Sequence, residues 1–284
     1  ARVERVLVEH GRAKGVRLSD GTEVEARRLV ATTVDPHQLV FELLPPQLVP
    51  ERVRRRVAGL ERHWITIAWY TWALREPLRY HAESFNPDVK ECMTLFPATK
   101  DLLVMVRESH ERRLGMWPSE VNLSVVHHQG TDNLIGPPGQ DFTLLTEQFV
   151  LPAFALSEAE WRERERRIAQ DIVSTLQRYA PNMTWDNVIG YVAVTPFYTA
   201  GMCRNYAPAG NWAVIDHTPP QLGRLRPIPE LAGHRVPGVQ GLYCTGSAWH
   251  PFACAMSAQG YNCYKVIAED LGLARPWAER GWPF

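Results

Sequence analysis

The segment GLYCTGSAWHPFACAMSAQGYNCYKVIAEDLG, residues 241–272, constrains the fold more than any other part of this chain. Leu242–Thr245 is a short strand pattern and Gly246 permits a sharp turn. The spacing then predicts a helix capped by Ser257, with Gly260, Tyr264, Ile267, Ala268 and Leu271 on its inner face and Gly272 at its end. A strand that feeds a helix in this way belongs in a sheet covered by helices, because each element has an apolar face that needs a partner. The helix start also offers unpaired N–H groups and the positive end of a dipole to an anionic ligand such as a pyrophosphate or a reduced flavin ring. The GxGxxG loop that usually grips a nucleotide in this setting does not occur in the sequence.

The N-terminal residues carry the opposite pattern. Val3, Val6 and Val8, then Val16 and Leu18, then Val24 alternate with polar residues, and turns fall at Gly11–Gly15 and at Asp20-Gly21. This predicts a meander of short antiparallel strands, followed by a more continuously apolar strand at Leu29-Val30-Ala31 that stops at Asp35-Pro36. Residue 1 already lies within the alternation, so the pattern predicts a chain that begins inside a domain.

Between these ends, Pro45–Leu60 predicts a short helix with Val53, Val57 and Leu60 on one face and Arg52, Arg54, Arg55 and Arg56 turned outward. Trp64–Leu74, Leu102–Val106 and Val121–His127 are rich in β-branched and aromatic residues and are expected to form strands of a second sheet. The turn Gly136-Pro137-Pro138-Gly139 precedes a further strand at Phe142–Leu145. Ser157 with Glu160 forms a capping box, and Trp161, Ile168, Ile172 and Leu176 follow at helical spacing up to Pro181. Thr195–Arg235 is turn-rich and is expected to hold loops and short strands.

Composition narrows the function. The formal charge is zero and the basic residues are scattered, which removes the electrostatic footprint of a nucleic-acid binder. Cysteine is present in odd number without CxxC spacing, which argues against a disulfide framework and a zinc site and for a reducing, cytoplasmic location. His127-His128 alternate across a strand and have no acidic or cysteine neighbour, so no metal site is expected there. No apolar run reaches the roughly 18 residues needed to span a bilayer. Ten tryptophans nevertheless leave room for an apolar ligand or peripheral membrane contact.

The order of the motifs carries more information than any one of them. The hairpin V-x-x-V-x-V-x-x-G-x-x-x-G-V-x-L-x-D-G, then VATTVDP, LIGPPGQDFTLL, the helix ending in YAPNMT, VTPFYT, GRLRPIPE and GVQGLYCTGSAWHP follow one another over almost the whole chain. This series resembles the C-terminal part of FAD-dependent oxidoreductases of the phytoene desaturase and carotenoid isomerase type. The resemblance implies a mixed α/β fold. Residues 1–36 and 236–284 would be the C-terminal portion of a Rossmann-like FAD-binding domain, and 37–235 a substrate-binding domain with a mixed or antiparallel sheet and flanking helices. It also implies roles: Val3 near the adenine; Ala31 and Thr32 along the nucleotide; Thr245, Gly246 and Ser247 near the pyrophosphate and ribityl chain; Ala255, Met256 and Ser257 at the isoalloxazine ring.

Two departures from the family pattern matter. Phe252-Ala253-Cys254-Ala255 stands where the family has a glycine run, and the first strand, GxGxxG turn and helix are not found. The implied partner is therefore a second polypeptide or an N-terminal segment that supplies the phosphate loop. In such enzymes the flavin accepts a hydride from an apolar substrate while the protein orients and shields it. His250 and Tyr261 are the candidates for proton handling. Trp64, Trp69, Tyr70 and Trp72 fit either a dry cavity or a packed core. Cys254 fits either a reactive thiol near a helix start or a small buried hydrophobe. Carbon–carbon desaturation is the leading reading. A reduced-flavin double-bond isomerase and a non-catalytic subunit or apolar-ligand carrier without cofactor stand beside it.

Overall fold

The computed structural model describes residues 1–98, 101–127, 142–253 and 257–280. The chain forms two compact units, one of Ala1–Arg62 with Ala213–Phe284 and the other of His63–Trp212. The first unit opens with the antiparallel strands β1 (Val3–Glu9), β2 (Arg12–Leu18) and β3 (Glu23–Glu25), as the valine alternation requires. His10 and Gly11 both adopt positive φ between β1 and β2, the geometry of a two-residue hairpin turn. Strand β4 (Val30–Thr32) leads to the short helix α1 (Pro36–Gln38) and then to α2 (Glu51–Ala58), whose inner face is Val53 and Val57. Buried Asp35 caps α1 by accepting from the backbone N–H groups of His37 and Gln38.

The second unit runs through β5 (Ile67–Leu74), β6 (Thr94–Leu95), α3 (Leu102–Arg113), β7 (Ser124–His127), β8 (Thr143–Phe149), α4 (Glu158–Gln177), β9 (Val188–Val194) and α5 (Pro196–Met202). Its sheet is antiparallel in the order β6-β7-β8-β5-β9. Helix α4 buries Trp161, Ile168, Ile172, Val173 and Leu176 in one cluster with Tyr70, Trp72 and Leu144 of the sheet. Each large side chain so buried stabilises the unit by roughly 1.5–3 kcal/mol. The Tyr70 hydroxyl donates to Glu165 O at 2.8 Å and ties the sheet to the helix. The capping box is present as the sequence predicts, with Ser157 Oγ accepting from the Glu160 N–H and the Glu160 carboxylate accepting from the Ser157 N–H.

The chain then returns to the first unit with β10 (Arg235–Val236), β11 (Val239–Cys244), α6 (Ala258–Leu271) and α7 (Pro276–Arg280). Strand β11 lies parallel to β4, with Leu242 opposite Val30, Tyr243 opposite Ala31 and Cys244 opposite Thr32. The two ends of the chain therefore share one mixed sheet, and the architecture as a whole is mixed α/β. Both α1 and α2, and the loops between Ala213 and Arg235, belong to this unit rather than to the second one.

Several expectations need correction. Leu102–Val106 is the start of helix α3, not a strand. Asp101 caps it by accepting from the Leu103 N–H, and the helix-favouring run RESHERR continues it. Helix α6 is rotated by about one residue from the face the spacing implies: Gln259, Cys263 and Ala268 are buried, while Gly260 and Tyr264 face outward. Ser257 makes no capping hydrogen bond and sits at φ 54. Thr195–Arg235 contains α5, and VIGYVAV just before it forms β9, a strand not expected from the sequence. Of the two readings of the aromatic strand, packed core holds for Tyr70 and Trp72, which are fully buried and stacked on each other. The turn at Gly136–Gly139, His128, Cys254, Ala255 and Met256 lie outside the described residues.

Candidate functional site

The site is built on the C-terminal ends of the parallel pair β4 and β11. The Thr245 N–H donates to Thr32 O at 2.9 Å, which extends the pairing one residue past the strand. Gly246 then takes φ +102, a conformation that side chains other than hydrogen rarely adopt. A Cβ at this position would stand 3.4 Å from the Cβ and carbonyl oxygen of Thr33. The Trp249 N–H closes the turn on Gly246 O at 2.9 Å, and the fully buried Trp249 ring anchors it through Nε1 to Leu231 O.

This turn leaves polar groups without protein partners. Among the described residues, the buried Thr245 Oγ1 has no hydrogen-bond partner, and the backbone N–H groups of Gly246, Ser247 and Ala248 find no acceptor. Buried polar groups are otherwise nearly always satisfied, so the buried Thr245 hydroxyl, with unpaired N–H groups of half-buried Gly246 and Ser247 beside it, marks a place for a polar ligand at the strand end. The Ser247 carbonyl is turned the other way, accepting from both Nε and Nη2 of Arg226 at 3.2 and 2.8 Å.

The remaining sequence candidates lie around this turn at differing removes. Thr32 Oγ1 accepts from the Val34 N–H, and Ala31 is exposed on β4 beside Tyr243. Val3 sits on β1 opposite Leu18, in a strand that pairs with β2 and not with β11. His250 Nδ1 is buried without a partner, and His250 lines a cavity of about 410 Å³ together with His234, Asn262, Lys265, Arg275 and Trp277. The Tyr261 hydroxyl is likewise buried and unpartnered, with its ring edge-on to Trp277 at 5.9 Å and Lys265 Nζ 5.4 Å from its centre. Ser257 accepts at its carbonyl from the Tyr261 N–H as α6 begins. Phe252, after the histidine-proline pair, packs edge-on against His217, and its carbonyl accepts from Gln259 Nε2. The structure thus joins Thr32, Thr245, Gly246 and Ser247 directly, and leaves Val3 apart.

Sequence reasoning overlooked Arg226, Gln221 and His234. Arg226 is fully buried, and burial pushes its guanidinium down to about 10, against the opposing pull of Asp216. His234 donates from Nδ1 to Cys244 O at 2.8 Å, and its pKa is lowered, chiefly by burial. The Cys244 thiol is pushed up by burial, which leaves it inert beneath the turn. The available signal was GRLRPIPE: an arginine held between apolar residues and a proline has no solvated helix face on which to lie.

This sheet, its helix cover and its strand-end turn are those of a mixed α/β fold, and the chain is similar to proteins named as oxidoreductases and to a subunit of a dehydrogenase. It is 27% identical to the mouse (Mus musculus) pyridine nucleotide-disulfide oxidoreductase domain-containing protein 2 over 268 residues, which cover 92% of this chain and 45% of that protein. It is 22% identical to one of the subunits of limonene dehydrogenase from Castellaniella defragrans, over 98% of this chain and 52% of that one. Among solved structures, an oxidoreductase from Methanosarcina mazei shares the fold, with a TM-score of 0.52 and 16% identity, over 93% of this chain and 48% of that chain. The chain spans about half the length of the curated relatives it matches. No protein-family model matches it.

Proposed function

We propose that this chain is the C-terminal portion, or a subunit, of an FAD-dependent oxidoreductase that removes hydrogen across a carbon–carbon bond of an apolar substrate. The observation that carries the reading is the turn at Thr245–Ala248, where a buried hydroxyl and three neighbouring N–H groups have no protein partner among the described residues. Those groups fit the polar linker of a dinucleotide, with Thr245, Gly246 and Ser247 as the contacts, Ala31 and Thr32 on the adjoining strand, and Val3 toward the adenine. Ser257 would meet the ring system at the start of α6; Ala255 and Met256, assigned to the same ring, lie outside the described residues. On this reading the first unit, which contains Ala1–Pro36 and Val236–Phe284, belongs to the cofactor domain, and the substrate is held by the second unit, His63–Trp212, within residues 37–235. When bound, FAD supplies the two-electron acceptor that the chemistry needs.

The chain's own residues bind, orient and move protons. Desaturation breaks two C–H bonds; one hydrogen leaves as hydride to the flavin and the other as a proton, for which His250 Nδ1 is the candidate acceptor, with the Tyr261 hydroxyl as a candidate relay that passes on its own proton as it takes one up. The similarity to a limonene dehydrogenase subunit supports both a dehydrogenation and an assembly of more than one chain. The glycine-rich pyrophosphate cradle, which these residues lack, would come from a partner chain or an N-terminal segment. The turn is tested by Gly246→Val in the assembled protein. The added side chain at φ +102, pressed on Thr33, should abolish flavin binding while far-ultraviolet circular dichroism stays close to wild type. Stoichiometric FAD in that variant would remove the turn from the cofactor site.

A further inference from the structure

We propose that Arg226 is the positioning residue of the Thr245–Ser247 turn, and that it joins this turn to the two segments through which the chain leaves and re-enters the first unit. The inference rests on reading the turn as a cofactor contact. Arg226 has no exposed surface. A guanidinium offers five N–H donors in a fixed fork and no acceptor, so a buried one orders whatever it bonds to. Here every partner is a backbone carbonyl. Nε and Nη2 hold Ser247 O; Nη2 also reaches Ala213 O at 3.0 Å and Ile215 O at 3.2 Å; Nη1 reaches Gln221 O at 2.9 Å and Asp216 O at 3.4 Å.

Burial of a cation is unfavourable, and an apolar side chain of similar volume would fill the space at less cost. What the arginine adds is direction. The peptide unit is planar and trans, so drawing the Ser247 carbonyl toward Arg226 sends the Ala248 N–H to the opposite side. That N–H belongs to the group left without an acceptor among the described residues. The clamp therefore presents the free Ala248 donor as a consequence of satisfying the Ser247 carbonyl.

Gln221 extends the clamp to the other crossing. Its Nε2 donates to Asp216 O at 3.0 Å and Glu61 O at 2.9 Å, and its Oε1 accepts from the Glu61 N–H at 2.8 Å. The Asp216 N–H in turn donates to Glu61 O at 2.8 Å. Glu61 directly precedes the exit from the first unit at Arg62, and Ala213 is the residue of return. Both crossings and the turn are thus one hydrogen-bonded body, with Arg226 at its centre.

The test is amide hydrogen exchange on the whole chain for wild type, R226M, R226K and Q221M. The informative amides are Thr245, Trp249 and Asp216, each hydrogen-bonded in the structure, with α4 as the control. R226M should speed exchange at all three by about tenfold or more without change in α4. R226K should do nearly the same, because an ammonium lacks the fork that spans Ser247, Ala213 and Gln221. Q221M should loosen Asp216 and leave Thr245 and Trp249 protected, and it keeps the test decisive if R226M does not fold. Exchange that rises equally in α4, or wild-type protection in R226K, overturns the proposal. FAD titration of the assembled protein, followed by flavin fluorescence, adds the functional arm: R226K should bind about tenfold more weakly, with an altered emission spectrum. If wild type binds no FAD, the cofactor reading of the turn fails, while the exchange result still decides the clamp.

Discussion

At the scale of single residues, the candidate site is recognised by groups that are left unsatisfied. A buried hydroxyl without a partner costs about 1–3 kcal/mol, so a ligand that pairs with it recovers what folding gave up. Thr245→Val keeps the shape and removes the orphaned oxygen. Its melting temperature should be equal to or higher than that of wild type, while its affinity for FAD falls; a loss of both stability and affinity would mean that Thr245 Oγ1 is a structural group. Tyr261→Phe should behave alike for stability, since the hydroxyl makes no bond among the described residues, and should lower turnover if the tyrosine relays the substrate proton. Thr245, Gly246, His250 and Tyr261 could be singled out from the sequence because chain order and a strand-turn-helix pattern point to them. Arg226 could not. Its significance lies in carbonyls contributed by residues 213–221 and 247, and backbone acceptors leave no trace in residue identity.

At the scale of elements, two helix starts that look alike in sequence differ in substance. Ser157 completes a capping box on α4, and Ser157→Ala should cost about 1 kcal/mol. Ser257 caps nothing and sits in the left-handed region, so Ser257→Gly should be neutral or stabilise by up to about 1 kcal/mol. Urea titrations of the two variants distinguish a cap from a strained turn. His234 gives the link between β10 and β11 a pH dependence. Burial, with smaller contributions from His250 and Arg235, holds its pKa below the ordinary 6.5 against the pull of Cys244 O. A histidine kept neutral in the fold excludes a proton that the unfolded chain accepts, so its stabilisation is complete above 6.5 and is lost as pH falls toward the depressed value. His37 and His217 are lowered in the same sense. The urea midpoint should therefore fall between pH 7.5 and pH 5.5, roughly the range in which histidine titrates, and His234→Gln should flatten that fall. Periodicity made α2 and α4 legible because each buries one clear face, and the valine alternation with its glycine turns made β1 and β2 legible although only Val6, Ala13 and Gly15 of them are fully buried. Helix α3 was not legible: five apolar residues in a row suit either a strand or a helix start, and α3 buries no residue that could have set a period.

At the scale of the whole molecule, the first sheet has an open edge among the described residues. Strand β4 pairs with β11 on one side and has no strand on its other edge among the described residues, although parallel strands are normally enclosed by neighbours. The residues that would grip a pyrophosphate, a strand with a GxGxxG turn and a helix start, are not in the sequence, and the relatives are about twice as long as this chain. A pyrophosphate carries most of the charge of FAD, and the three free N–H groups near Gly246 are fewer than a glycine-rich helix start provides. The prediction is that residues 1–284 expressed alone hold FAD only weakly and self-associate through the open edge of β4. Supplying a chain with a strand, GxGxxG turn and helix should restore both flavin content and a defined mass. Flavin absorbance per polypeptide and sedimentation velocity, with and without the added chain, measure this together. A monomer of residues 1–284 that binds FAD one to one would show that the β4 edge needs no partner, and would move the phosphate site to donors within these residues, with the turn at Thr245–Ala248 the place to look.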